Sequence, residues 1–165
     1  MAVIDDIAAT YRGPRRMMAR LLSQGRDEAR VLAWLLAGLI VAYVAQWPVI
    51  ARADALAGAG SAVPAVQRYV AAFLGVLALI PVFYLVAALS RLVMQLFRGR
   101  GSFHASRLVL FWAFLALAPV MLVRGLVAGF AGPGVASGIV DGLALVAFLW
   151  FWFSGLTVAE FGEAG

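Results

Sequence analysis

The stretch VLAWLLAGLIVAYVAQWPV, Val31 to Val49, holds one amide, Gln46, and no charged side chain. A bilayer hydrocarbon core about 30 Å thick is crossed by roughly 20 apolar residues in a helix. This block nearly has that length, and the core helix of a soluble domain would show polar residues at helical spacing. Three further blocks follow, Tyr69–Leu89, Leu108–Val123 and Val135–Val158. The third reaches spanning length by running on through Arg124 into Gly125–Phe130. A mean hydropathy of +0.99 agrees with an integral membrane protein, as do the 65% hydrophobic residues. The expected fold is all-α, a polytopic transmembrane bundle of four spans at about residues 31–50, 69–96, 107–128 and 135–158. A basic amphipathic interfacial helix within residues 1–30 precedes the bundle, and a short tail, 159–165, follows it.

Four spans with short connections use nearly all of the 165 residues, which leaves no room for a folded soluble domain. The chain has no cysteine, so disulfides, thiolate nucleophiles and thiolate metal ligands are excluded. Every basic side chain is arginine, and alanine and glycine are abundant, as in proteins of GC-rich bacterial genomes. A net charge of +5 would suggest nucleic acid as partner of a soluble protein. Here the arginines flank membrane spans, so anionic lipid headgroups are the expected partner and nucleic acid is not.

Arginine placement also orients the chain. Arg12, Arg15, Arg16, Arg20, Arg26 and Arg30 precede the first span, and Arg91, Arg98, Arg100 and Arg107 surround the loop between spans two and three. The other two loops carry Arg52 and Arg68, then Arg124. The positive-inside rule puts the first two regions, and both termini, in the cytoplasm of a bacterial inner membrane. Ala51-Arg-Ala53 and Ala53-Asp-Ala55 resemble signal-peptide cleavage sites. Residues 1–30 precede the block, however, and the block exceeds a signal-peptide apolar region, so we read it as a span.

Ahead of the first span, Arg12, Arg16 and Arg20 stack on one helical face, with Tyr11, Pro14, Met18, Leu21 and Leu22 opposite. Together with Arg15 this pattern suits a helix lying in the headgroup plane; the alternative is a solvated basic tail that sets topology. Pro14 belongs in the first turn of that helix, with Thr10 or Gly13 near its start. Asp5-Asp6 suggests a short helical turn before it. Gly25 is placed to end the helix and Asp27 to cap the next one. The loop from Arg52 to Arg68, with Gly58, Gly60, Ser61 and Pro64, has no ligand motif.

Pro81 and Pro119 fall inside spans two and three and should kink them. Such breaks either accompany transporter binding sites or are tolerated bends. The basic loop Leu96–Arg107 contains Gly99-Arg-Gly101, but no lysine at phosphate-loop spacing and no preceding strand. His104 is the sole histidine and has no second ligand at metal spacing, so neither a metal nor another cofactor is expected. We read this segment as a tight basic turn, with Phe103 dipping into the interface.

Gly134, Gly138 and Gly142 recur every fourth residue in the last span, and Gly125 and Gly129 repeat the spacing before it. Small residues so spaced let helix backbones approach closely. The two sets are expected to pack on each other as a hairpin, or on another chain. Asp141 shares the last span, where an unpaired carboxylate costs several kcal/mol. It is either a proton or cation site, a polar contact with another subunit, or the partner of a snorkelling Arg124. Trp34 and Trp47 bracket span one, Trp112 sits in span three, and Trp150 and Trp152 belong to the aromatic run Phe148–Phe153. All five are read as interfacial anchors. That aromatic run would equally serve as a docking surface for pigment, lipid or a partner helix.

Several pieces together resemble the bacterial branch of the Yip (Ypt-interacting protein) domain family of small polytopic membrane proteins. They are the lead-in Pro14-Arg15-Arg16 … Leu21-Leu22, the span ending Ala45-Gln46-Trp47-Pro48, and the Gly-Arg-Gly-Ser-Phe turn running into Arg107-Leu-Val-Leu-Phe-Trp112. Gly-Leu-Val-Ala-Gly-Phe-Ala-Gly-Pro133-Gly134 and the tryptophan-rich last span complete the resemblance. Members usually have about five spans, against four read here. The resemblance implies a non-enzymatic membrane protein with no catalytic residue to carry over; eukaryotic members are linked to vesicle trafficking through small GTPases. The expected function is therefore non-enzymatic: helix packing and lipid contact, as an accessory or assembly subunit of a larger membrane complex or through self-association. The alternative is a small oligomeric transporter or channel using Asp141, with Pro81 and Pro119 at its centre. An intramembrane enzyme would need a base for Ser154 or Thr157, which only His104 folding toward them would supply.

Overall fold

Asp27 opens the first long helix by accepting the Arg30 backbone N–H on its carboxylate, just after Gly25 turns the chain at φ 84°. Both residues act as their types dictate. The computed structural model describes residues 3–58 and 64–162. Gly60 and Ser61 of the expected loop, and the end of the tail at 163–165, lie outside the described residues.

Eight helices make up the described chain, with no strand among the described residues. They are α1 (Val3–Arg12), α2 (Pro14–Ser23), α3 (Glu28–Ala57), α4 (Ala65–Leu77), α5 (Leu79–Leu96), α6 (Phe103–Ala116), α7 (Ala118–Phe130) and α8 (Val135–Phe161). Three stretches are long and apolar enough to cross a membrane: α3, the run Ala65–Leu96 formed by α4 and α5, and α8. The α6–α7 pair makes a fourth if its two halves, bent by 43°, count as one span. All four run longer than the blocks of hydropathy alone, because polar end turns continue the helices past the apolar residues.

The two breaks have a common cause. Pro81 and Pro119 lack the N–H that would bond four residues back, and their rings crowd that carbonyl. The chain accordingly departs from helical regularity at Ala78 and at Leu117, a turn or less before each proline. Pro48 is carried inside α3 without a break in the helix.

At the centre stands α6, buried on almost every side, with α3, α5 and α8 packed around it. Its wholly buried Phe111 and Trp112 set the width of the core. Elsewhere the helix surfaces stay largely apolar and exposed, as at Leu85, Leu89, Leu143 and Val146. That is the distribution a lipid-facing surface requires, since lipid tails offer no penalty to exposed leucine.

Where a short helical turn was expected ahead of the amphipathic helix, there is a full helix, so two helices of ten residues each precede the bundle and meet at Gly13. Pro14 sits in the first turn of α2, so α1 ends and α2 begins around it. Their apolar stripe is covered by the bundle: Met17, Met18 and Leu21 join one core with Trp34, Phe111 and Leu156. Helices α1 and α2 are thus packed on the bundle over most of their apolar face.

Candidate functional site

The helix order gathers α1, α2, the α5–α6 turn and the end of α8 at one end of the bundle, here called the basic end. Its centre is an acid. Glu160, 2% exposed, sits in the last turn of α8 and reaches into the Gly99-Arg100-Gly101 turn. Arg91 Nη1 donates to its Oε2 at 2.8 Å, as does the Gly101 N–H, and Ser106 Oγ donates to Oε1 at 3.4 Å. Arg91 also donates to the Gly99 carbonyl at 3.2 Å, and the Arg100 N–H donates to the Glu160 carbonyl at 3.0 Å. Buried charges persist only when so paired and bonded.

This explains the turn's glycines. A Cβ at Gly101 would stand 2.6 Å from the Glu160 carboxyl carbon, and one at Gly99 would stand 2.9 Å from the Met94 carbonyl. The loop cradles a carboxylate of its own chain through backbone N–H and close approach. Ser102 caps α6 by accepting from the Ala105 N–H at 3.1 Å, which fixes where the loop ends.

A second polar contact ties α3 to α6. Glu28 accepts from Arg107 at 2.5 Å and lies 2.9 Å from His104 Nδ1. His104 is therefore occupied in the first turn of α6, rather than free in a loop. A third joins α1 to the core: the Trp112 indole N–H donates to Thr10 Oγ1 at 3.0 Å, and Thr10 donates to the Asp6 carbonyl at 2.8 Å. Asp6 in turn accepts from Arg20 at 3.0 Å. Tyr11 meets Phe151 edge-on at 4.9 Å, and burial pushes its phenol pKa up, keeping it neutral.

Of the four arginines expected at headgroups, Arg12, Arg15 and Arg16 are exposed, while Arg20 is partly engaged by Asp6. The tryptophans divide. Trp47 and Trp150 are exposed, and Trp152 is half-buried. Trp112 is a correction: at 0% exposed it is a core residue whose indole N–H is spent on Thr10. Trp34 is a second correction, buried edge-on against Trp112 at 4.8 Å, with Arg30 over its ring. Both sit on the inner faces of their helices, so neither can anchor to lipid. Phe151 breaks the aromatic run in the same way, being buried while Trp150 and Phe153 point outward.

The glycines also sort differently from a hairpin. Gly125 and Gly129 lie against α3, where a Cβ would overlap the backbone of Ala45 and of Pro48. Gly134, Gly138 and Gly142 have open space in front of them. The expected packing of the two sets on each other is therefore overturned: α7 spends its small residues on α3. Gly38 against Phe114 and Gly155 against Val109 and Met18 are close approaches that spacing did not single out.

At the opposite end Arg124 Nε donates to Asp141 Oδ1, pairing α7 with α8; the two side chains are 42% and 47% exposed. Arg68 pairs with Asp54. Arg52 Nη1 donates to the Phe130 carbonyl at 3.0 Å, a cation closing the C-terminus of α7 as the helix dipole favours. Among the described residues no three metal-ligating side chains come together. Glu160, Arg91, Thr10 and Arg52 were missed as pairing residues by sequence, since each partner is remote in the chain. The chain matches no protein-family model, no curated protein and no solved structure.

Proposed function

We propose that the protein is a non-enzymatic, multi-pass component of a bacterial inner membrane, with both termini cytoplasmic. It acts through helix packing and lipid contact, as an accessory or assembly subunit of a larger membrane complex, and it is a bacterial relative of the Yip domain family. The observation that carries this reading is the Gly134–Gly138–Gly142 face of α8, which stays open while the other glycines at helical spacing are filled from within the chain. A face built for close backbone approach and left uncovered by its own bundle suits a helix of another subunit. At the other end of the bundle, exposed Arg12, Arg15 and Arg16 suit anionic headgroups. The ion pair with Arg124 supports a structural role for Asp141 over an ion pathway.

Purification in mild detergent through a carboxy-terminal tag, followed by native mass analysis, tests the reading. Stoichiometric recovery of other membrane subunits, reduced in Gly138→Leu, is the expected result. Recovery of a lone homo-oligomer whose proteoliposome flux disappears in Asp141→Asn would replace it with the transporter.

A further inference from the structure

Helices α5 and α8 both pack on α6 but stay apart from each other for most of their length. They are tied at the basic end by the Arg91–Glu160 pair. The gap between them is a trough. Its inner part, about 270 Å³, lies between Phe83, Leu117, Ala144 and Phe148. Its outer part, about 260 Å³, lies between Val86, Ser90, Met94, Trp152 and Leu156. Helical periodicity places Phe83, Val86, Ser90 and Met94 on one stripe of α5, and Ala144, Phe148, Trp152 and Leu156 on one stripe of α8. The two parts therefore form one seam. The Ser90 hydroxyl is turned back onto its own helix, donating to the Val86 carbonyl at 2.6 Å, so the walls present carbon.

One helical turn along α5 and α8 beyond Met94 and Leu156 lies a wider cavity of about 620 Å³ at the basic end, walled by Leu22, Phe97, Arg98, Arg100, Val158 and Ala159. Glu160 also borders it, but its charge is matched by Arg91. Arg98 and Arg100 have no carboxylate partner among the described residues. An apolar trough thus ends in two uncompensated cations.

We infer that this seam seats one anionic glycerophospholipid, an acyl chain lying between α5 and α8 and the phosphate at Arg98 and Arg100. The dimensions select this occupant. From Phe83 to Met94 a helix rises roughly 16 Å, about half of a 30 Å hydrocarbon core, which is the depth of one leaflet. Its two parts, about 260 and 270 Å³, are too small to take in a helix about 10 Å across over that length, and they suit the slimmer section of one acyl chain. The site is separate from the Arg12–Arg16 surface, and it rests on the reading of the chain as membrane-spanning.

The test uses the full chain reconstituted in vesicles of phosphatidylcholine and phosphatidylglycerol at three to one, then extracted in mild detergent for native mass spectrometry. One retained phosphatidylglycerol per chain is expected, enriched over the vesicle ratio by on the order of 25-fold, since each arginine contributes about fivefold at an anionic surface. Arg98→Gln with Arg100→Gln, both at the surface, should bring the enrichment down to the vesicle ratio. Ser90→Phe, which fills the trough, should lower retention of either lipid. A wild-type chain whose retained lipid mirrors the vesicle, or a double variant with undiminished enrichment, overturns the seat. A carbonate wash separates the two readings: protein stripped from the vesicles sinks the membrane reading itself, while protein that stays but holds no phosphatidylglycerol sinks only the seat.

Discussion

Glu160 shows what single residues do in this chain. An acid two residues past the last apolar block looks like the start of a tail, and Arg91 looks like one more topology-setting arginine. The structure closes them on each other in a buried site with the Gly101 N–H and Ser106 as further donors. Removing one member of such a pair leaves the other buried and uncompensated, at a cost of about 3–5 kcal/mol. Glu160→Ala should therefore lower the thermal unfolding midpoint in detergent sharply, and Glu160→Gln, which keeps an acceptor for Gly101, less so. Equal midpoints for wild type and both variants would show that the pair is idle. Neither the Glu160 site nor the Trp112–Thr10 bond was legible in sequence. Their partners are joined only once α8 returns to the basic end and α1 folds over α6, and hydropathy carries no record of which tryptophan faces inward.

At the scale of helices the sequence was far more legible, because the signals are local. Pro14 in a first turn, Asp27 as a cap, Gly25 as a stop and the breaks just before Pro81 and Pro119 all follow from one residue's own backbone chemistry. Four apolar blocks foretold four helical stretches, of which three are long and apolar enough to cross a membrane and a fourth is so only if the α6–α7 pair counts as one. Glycine spacing was less informative, since it says that some backbone approaches without saying which. Gly129→Ala should wedge α7 from α3, where Pro48 leaves no room for a Cβ. Overpacking of that kind costs about 1–3 kcal/mol. Gly138→Leu, facing open space, should leave the unfolding midpoint of the isolated chain within a few degrees of wild type and act only on association. A Gly138→Leu chain that unfolds as readily as Gly129→Ala would mean that α8 uses its glycine face inside the bundle.

For the molecule as a whole, the governing asymmetry is charge. Ten of the thirteen arginines named above, all but Arg52, Arg68 and Arg124, fall at one end of the bundle. The fold spends several of them internally: Arg91 on Glu160, Arg107 on Glu28, and Arg20 on Asp6. Those pairs subtract from the surplus that a membrane potential and anionic headgroups would sense. Arg12, Arg15, Arg16, Arg26, Arg30, Arg98 and Arg100 remain outside the ion pairs among the described residues, and the opposite end has no comparable group. At that end Arg68 pairs with Asp54 and Arg124 with Asp141. The imbalance therefore survives folding, and it favours the basic end in the cytoplasm. A chain without cysteine makes the orientation directly measurable. Single cysteines at Arg26 and at Pro133, in the turns before α3 and before α8, report on the two ends. A membrane-impermeant maleimide applied to intact spheroplasts should label Pro133→Cys and leave Arg26→Cys untouched until the membrane is opened. Labelling of Arg26→Cys on sealed spheroplasts would invert the topology, and it would put the arginines and the lipid seat between α5 and α8 in the outer leaflet.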